Sequence, residues 1–140
     1  MSLSMSSLSI HPLVYRFVRY CLNRAYLDLD DSKLSADERY SLETILAIIR
    51  QAEDGWSTID DVTKFISEEL PKIYRQALER LPDKIVDELF EKVLNNCKEL
   101  NEVRTNPKLL NAIDSVFNEL KEVKKRFIEE SKTRIYEPSA

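Results

Sequence analysis

A single glycine, Gly55, occurs among the 140 residues of this chain. Strands, hairpins and phosphate-binding loops use glycine where the backbone is left-handed or crowded, and an average protein contains about 7% of it. The nucleotide-binding motifs G-x-G-x-x-G and G-x-x-x-x-G-K-[ST] cannot be written with one glycine. The glycine content therefore predicts an all-α protein whose helices are joined by short turns.

Length and charge predict one globular domain with an acidic middle. Hydrophobic residues make up 43% of the chain and charged residues 33%, a balance typical of globular proteins. The net charge of −4 is unevenly distributed, because residues 35–105 carry −6 while residues 1–34 and 106–140 carry +1 each. This distribution does not predict bulk nucleic-acid binding, although it leaves room for a local basic patch.

The two cysteines and the lengths of the apolar runs indicate the cellular compartment of the protein. Cys21 and Cys97 each lie in an apolar helical pattern, which favours buried thiols in a reducing compartment, although sequence spacing leaves a disulfide open. No apolar run approaches the ~20 residues that span a bilayer. Residues 1–10 lack the basic and apolar regions of a signal peptide and predict a flexible lead. We therefore expect a cytoplasmic protein with no membrane partner.

Prolines and helix caps divide the chain into about six predicted helices. The first begins at Pro12 and runs to about residue 27, and capping boxes at 35–38 and 57–60 open the second and third. Gly55 is predicted to end the second helix in a left-handed conformation. Residues 67–83 contain two prolines and are compatible with one kinked helix or with two.

The last two predicted helices have the most regular pattern. Apolar residues repeat every 3.5 positions, as in supercoiled helices, at Val86, Phe90, Val93, Cys97 and Leu100 and at Leu109, Ile113, Val116, Leu120, Val123 and Phe127. A cap at 105–107 predicts a C-terminal antiparallel helix hairpin. The predicted organisation is a flexible lead at 1–10, a helical domain at 11–131 and a flexible tail at 132–140.

Few residues suit catalysis or metal binding. Residues 28–32 resemble the start of a calcium loop, but Lys33 replaces the turn glycine and Arg39 replaces the closing glutamate. His11 is the only histidine, whereas metal sites draw on several histidines or cysteines. Adjacent acids at 60–61 and 68–69 point about 100° apart on a helix, which is typical of an exposed face. We predict a non-enzyme with no cofactor and no metal.

The first predicted helix, residues 11–27, is rich in arginine and tyrosine and contains no acidic residue. Its candidate binding residues are Tyr15, Arg16, Arg19, Tyr20 and Arg24. Arginine with interleaved tyrosine suits a protein hot spot and equally a phosphate- or base-stacking surface. Alternatively, these arginines form weak ion pairs with the acidic middle of the same domain. A second basic cluster, at 124–126 with Lys132 and Arg134, complements the dipole of the last helix and requires no ligand.

The order of short motifs in the first half of the chain resembles that of a known family. His11-Pro12 opens a helix, Leu34-Ser35 precedes the segment 38–42 with Leu46 behind it, and the turn 55–57 leads into the segment 59–62. This order is similar to the C-terminal helical domain of the large subunit of archaeal and eukaryotic DNA primases, over about half of the chain.

The chain differs from that family in its cysteines, which restricts the resemblance to one kind of primase subunit. The four iron–sulfur cysteines of the primase domain are missing, and neither Cys21 nor Cys97 replaces them. The chain therefore resembles the cluster-free, non-catalytic primase subunit of some archaea. The resemblance implies association with the catalytic and large subunits, a role in primer initiation, and Arg39 as the most transferable residue.

Together these features predict a non-catalytic helical accessory subunit that binds a protein partner. The sharper version of this prediction places it in a DNA primase or replication complex, and the local basic patch makes a nucleic acid or nucleotide a further candidate ligand. The alternative is a self-associating structural or virion-type helical protein whose last two helices pair between chains. An enzyme is a third alternative, since carboxylates are abundant.

Overall fold

A computed structural model describes residues 12–23, 29–30 and 32–136. Within those ranges the backbone forms helices and connecting turns without strands, so the prediction of an all-α helical bundle is confirmed. Several predicted features lie outside the described residues: the lead at 1–10, His11, the end of the first helix at 24–27, and Asp28 and Asp31 of the calcium-like segment.

The helices follow one another with short connections. In chain order they are α1 Pro12–Arg16 and its π-helical continuation π1 Phe17–Asn23, α2 Ala36–Glu53, α3 Ile59–Lys64 and its π-helical continuation π2 Phe65–Glu69, α4 Leu70–Arg80, α5 Asp83–Glu99, α6 Asn101–Arg104 and α7 Pro107–Tyr136. Helix α4 packs against α2, α5 and α7, and π1 packs mainly against α5. The core therefore lies around α4, with α1 and π1 at the edge of the bundle.

Helix α2 begins at the predicted capping box. The Glu38 N–H donates to Ser35 Oγ at 3.1 Å, and the Ser35 N–H donates back to Glu38 Oε1 at 2.9 Å. These two bonds satisfy main-chain donors that the first turn leaves unpaired. The apolar residues predicted to face inward are all buried: Leu42, Ile45, Leu46 and Ile49.

The predicted left-handed conformation of Gly55 is wrong, because its φ is not positive. The Gly55 N–H donates to the Ala52 carbonyl and the Trp56 N–H donates to the Glu53 carbonyl, both at 3.0 Å. These bonds between residues three apart close the helix with a tightened last turn, which needs no left-handed residue. Trp56 then enters the core, where only 6% of its surface is exposed.

The second capping box lies one residue later than predicted. The Thr58 side chain, rather than that of Ser57, accepts the Asp61 N–H at 3.2 Å, and Asp61 Oδ2 accepts the Thr58 N–H at 3.1 Å. Asp60, the predicted partner, forms an ion pair with Lys108 at 2.7 Å instead. The helix therefore starts one residue later than predicted, and Val62 and Ile66 are buried behind this start.

Of the two interpretations of residues 67–83, the structure shows one helix that passes through Pro71 and ends before Pro82. Proline lacks an N–H and its ring crowds the carbonyl four residues earlier. The preceding turn widens into π2, in which the Leu70 N–H donates to the Phe65 carbonyl five residues back. This widened turn accommodates Pro71 without breaking the helix.

Helices α5 and α7 bury the apolar repeat predicted for them, apart from Phe127, which is partly buried. Short helix α6 lies between the two, and Asn106 Oδ1 caps α7 by accepting the Leu109 N–H at 3.1 Å. Helix α7 packs more extensively against α4 than against α5. Helix α7 continues to Tyr136, five residues beyond the predicted end of the helical domain.

Cys21 of π1 and Cys97 of α5 form a disulfide, with their Cα atoms 5.3 Å apart. The structure therefore shows the disulfide that the sequence left open and not the two thiols that it favoured, while the predicted burial of both cysteines is correct. The packing of π1 on α5 brings together residues that lie 76 positions apart in the sequence. Cysteine spacing alone does not report such a contact.

Candidate functional site

The inner side of α1 and π1 is firmly seated in the core. Val14, Phe17 and Cys21 are buried, and the Phe17 ring meets the Trp56 ring edge to face with 5.6 Å between their centroids. The Trp56 ring in turn packs against Phe65, with 4.9 Å between centroids. These contacts join the first helix to the start of π2 and fix which side of it faces outward.

Tyr15 and Arg19 occupy the outward side. They lie four residues apart, so they are neighbours on the helical surface. The guanidinium carbon of Arg19 lies 5.3 Å from the Tyr15 ring centroid, and its Nη1 donates a hydrogen bond to the Tyr15 hydroxyl. Half of the Tyr15 surface is exposed. The cation–π contact and the hydrogen bond together hold an aromatic ring and a positive charge in one arrangement at the surface.

Arg16 instead makes a contact within the domain. Its guanidinium forms an ion pair with the Glu102 carboxylate of α6, which joins the N-terminal helix to the segment after α5. The other oxygen of that carboxylate, Glu102 Oε2, is buried with no hydrogen-bond partner among the described residues. The intramolecular alternative for the arginines is therefore the observed one at this position.

The remaining predicted binding residues are Tyr20, Arg24 and Arg39. The Tyr20 side chain and the whole of Arg24 lie outside the described residues. Arg39 is exposed in the first turn of α2, where its N–H donates to the Ser35 carbonyl at 2.9 Å. Of the predicted set, the outward face of α1 and π1 thus brings together Tyr15 and Arg19, with Arg16 beside them.

A polar cluster that the sequence interpretation missed lies where α4, α5 and α7 meet. A cavity of about 160 Å³ is lined by Tyr74, Asp87 and Lys124 among others. The Tyr74 hydroxyl donates to Asp87 Oδ1 at 2.7 Å, and Lys124 Nζ donates to Asp87 Oδ2. Lys124 belonged to a predicted basic cluster, but its partner lies 37 residues away and no local pattern indicates it.

The pKa values of Tyr74 and Lys124 in this cluster are both raised. Burial, and then the hydrogen bond to Asp87, raise the pKa of Tyr74 above its usual range. The hydrogen bond to Asp87 also raises the pKa of Lys124. Tyr74 therefore stays neutral and Lys124 stays protonated near neutral pH, so neither group is available as a general base. The cluster links α4, α5 and α7 through the two hydrogen bonds to Asp87.

The calcium-like segment forms a local turn in its described part. Asp30 Oδ1 accepts the Ser32 N–H at 3.1 Å and the Ser32 hydroxyl at 2.6 Å, and these bonds lower the pKa of Asp30. No group of three or more histidine, cysteine or acidic residues in the described ranges is arranged to hold a metal ion. Among the helices that the structure describes, none is both long and apolar enough to cross a membrane.

Comparison with protein-family models, with curated proteins and with solved structures finds no match to this chain.

Proposed function

We propose that this chain is a non-catalytic helical subunit that acts by binding a protein partner through the outward face of α1 and π1. The observation that carries the proposal is the exposed Tyr15–Arg19 pair on a helix whose opposite side is buried. Tyrosine and arginine are enriched among residues that dominate protein interfaces. Because the two side chains already hold each other, binding orders them at a reduced entropic cost.

The charge around this surface favours a protein over a nucleic acid. A phosphate backbone requires several cations in a row, and binding tightens with each phosphate neutralised. In the described part of α1 and π1, Arg16 is engaged by Glu102 while Arg19 faces outward. The neighbouring segment 35–105 carries a net charge of −6 and repels phosphate. A protein partner that offers one carboxylate beside an apolar contact suits the pair better.

The sharper proposal is that the partner is the catalytic or the large subunit of a DNA primase, in the cytoplasm. Its support is the motif order through 38–42 and 55–57, together with Arg39 at the exposed start of α2. Cytoplasmic proteins seldom contain disulfides, except in hyperthermophilic archaea and bacteria. The Cys21–Cys97 bond therefore agrees with the resemblance to a subunit of archaeal origin.

The self-associating alternative is disfavoured by the packing of α7. Pairing between chains requires an apolar stripe that one chain leaves exposed. The stripe of α7 is instead buried by α4 and π2 of the same chain, with Leu109 and Ile113 fully covered and Val116 nearly so. The apolar stripe of α7 from Leu109 to Val123 is therefore already used within the monomer.

The test is binding of the purified chain to the catalytic and large primase subunits of its source organism, measured by calorimetry. Arg19→Glu and Tyr15→Ala should each weaken binding by about 30-fold, the effect of losing a hot spot of ~2 kcal/mol. Lys84→Glu is the matched control, because it makes the same charge change near the start of α5, about 20 Å along that helix from Cys97. Equal affinities for all four proteins would contradict the proposed surface.

A second ligand distinguishes the nucleic-acid possibility. Single-stranded DNA should show no binding that depends on Arg19. If the wild-type chain does bind it, and the affinity falls steeply with salt and with Arg19→Glu, the surface binds phosphate and the protein proposal is wrong.

A further inference from the structure

The disulfide lies directly behind the proposed binding surface. Cys21 is two residues beyond Arg19 in π1, and Cys97 is two residues from the end of α5. Both cysteines are fully buried, and their Cα separation of 5.3 Å is in the range that a disulfide requires. This bond is therefore a covalent cross-link between π1, which carries Arg19, and α5.

The segment that it holds has little helical stability of its own. Of the described residues 12–23, five are α-helical, and short helical segments are marginal in water without tertiary contacts. The other seven residues adopt π-helical geometry, which is rare and occurs in short pieces. Its first turn contains no acidic residue to complement the helix dipole. Tertiary contacts must therefore keep this segment folded.

Those tertiary contacts are concentrated near the disulfide. The segment π1 packs mainly against α5, the helix that carries Cys97. The Arg16–Glu102 ion pair is about half exposed on the arginine side, and exposed pairs add little stability. Val14 and Phe17 add apolar contact on the inner side. Reduction would leave the packing of π1 on α5 and the apolar contacts of Val14 and Phe17, but no cross-link to limit local opening of the segment that positions Tyr15 and Arg19.

We propose that the Cys21–Cys97 disulfide is a redox-sensitive brace for the binding surface. The oxidised chain presents Tyr15 and Arg19 in fixed positions, whereas reduction by a dithiol releases α1 and π1 and weakens partner binding. This inference rests on the function proposed for that surface, and it adds a means of regulating it.

The exchange chemistry balances with a dithiol as the reductant. One thiolate of the dithiol attacks the Sγ of one cysteine, the Sγ–Sγ bond breaks, and the other cysteine leaves as a thiolate that takes up a proton. The second thiol of the reductant then attacks the mixed disulfide and releases the first cysteine. The reductant gives up two electrons and two protons and becomes a disulfide. Because both cysteines are buried, attack requires local opening of π1 from α5.

Hydrogen exchange on the full-length chain tests the brace without any partner. After treatment with dithiothreitol, amides in residues 12–23 should exchange at least tenfold faster than in the oxidised chain, while those in 107–133 are unchanged. The Cys21→Ala/Cys97→Ala variant should exchange at the faster rate with and without the reductant. Equal exchange of 12–23 in both redox forms of the wild type would overturn the proposal. So would two alkylatable thiols in the chain isolated without reductant.

Partner affinity separates this proposal from the one on which it rests. The Kd of the reduced chain for the primase subunits should be at least tenfold weaker than that of the oxidised chain. Tight binding with equal Kd values for the two forms would overturn the brace and leave the binding surface standing. No binding by the oxidised chain would contradict the proposed function. Hydrogen exchange alone would then test whether the disulfide holds residues 12–23 in place.

Discussion

The hydroxyl of Tyr74 donates a 2.7 Å hydrogen bond to Asp87 Oδ1, while Lys124 binds the other oxygen of the same carboxylate. One acidic side chain thereby joins α4, α5 and α7. The Tyr74 ring also meets the Phe90 ring edge to face, with 5.1 Å between centroids. Tyr74 thus contributes both a hydrogen bond and an aromatic contact to the packing of α4 on α5.

Asp87→Ala should lower the free energy of unfolding by about 1–3 kcal/mol, because it leaves a partly buried hydroxyl and ammonium without their acceptor. Tyr74→Phe should cost less, about 0.5–1.5 kcal/mol, since only one hydrogen bond is lost. Urea denaturation measures both. The control is Asp114→Ala, which removes an exposed ion pair with Lys98 and should change stability little. Equal effects of the two aspartate variants would show that Asp87 is an ordinary surface residue.

Glu53 should make stability depend on pH in the neutral range. Burial raises its pKa from 4.5 to about 7, while Arg50 opposes and Asp54 reinforces the shift, and Glu53 Oε1 has no hydrogen-bond partner among the described residues. Because the folded chain binds this proton more tightly than the unfolded chain does, the stabilisation from protonation is complete below pH 4.5. It is lost as the pH rises through about 7.

Thermal melts of Glu53→Gln test this sign. The variant should melt about 2–5 °C above the wild type at pH 8, a shift that corresponds to roughly 1 kcal/mol once exposure of half the group is allowed for. At pH 5 the difference should be smaller, because Glu53 is then already protonated in the folded chain. The control is Glu43→Gln, on the exposed side of the same helix. It should melt at the same temperature as the wild type at both pH values. A Glu53→Gln effect that is independent of pH would contradict the raised pKa.

Gly55→Ala should leave the protein as stable as the wild type or more stable by up to ~1 kcal/mol, because alanine lowers the entropy of the unfolded chain. A Cβ at this position would meet the Ala52 carbonyl oxygen at 3.5 Å, which is an ordinary contact. Chemical denaturation measures the difference. A loss of more than 1 kcal/mol would indicate the left-handed conformation that the glycine suggested.

Phe90→Ala should cost about 3–5 kcal/mol, whereas Phe117→Ala should cost clearly less. Both residues belong to the last two long helices, yet only 2% of Phe90 is exposed while Phe117 is partly buried. Urea denaturation of the two variants measures the ranking. Equal losses would mean that Phe117 is as deeply buried as Phe90, in contrast to the packing of α5 and α7 described above.

The helices were predictable because their signals are local. The Ser35–Glu38 capping box and the apolar stripe through Leu42 and Ile49 depend on residues within one helix, and the structure confirms both. The Cys21–Cys97 bond was not predictable, since it depends on how π1 packs against α5. The same holds for the contact of Asp87 with Lys124 across two helices.

The candidate surface was predictable in composition but not in arrangement. The sequence singled out the tyrosines and arginines of the first helix as one group. The structure divides that group, because Arg19 makes a cation–π contact and a hydrogen bond with Tyr15 at the surface while Arg16 pairs with Glu102. That division depends on the position of α6, which follows α5 and lies 86 residues from Arg16 along the chain. Periodicity within the first helix carries no information about it.

Calorimetric titration of the oxidised chain with the catalytic and large primase subunits tests the central claim most directly. The account predicts a saturable complex that Arg19→Glu weakens by about 30-fold, with Lys84→Glu equal to the wild type. Circular dichroism should show unchanged helicity in both variants, since Arg19 lies on the outward side of π1. A folded Arg19→Glu variant that binds these subunits, and every partner captured from the native cell, as tightly as the wild type would contradict it.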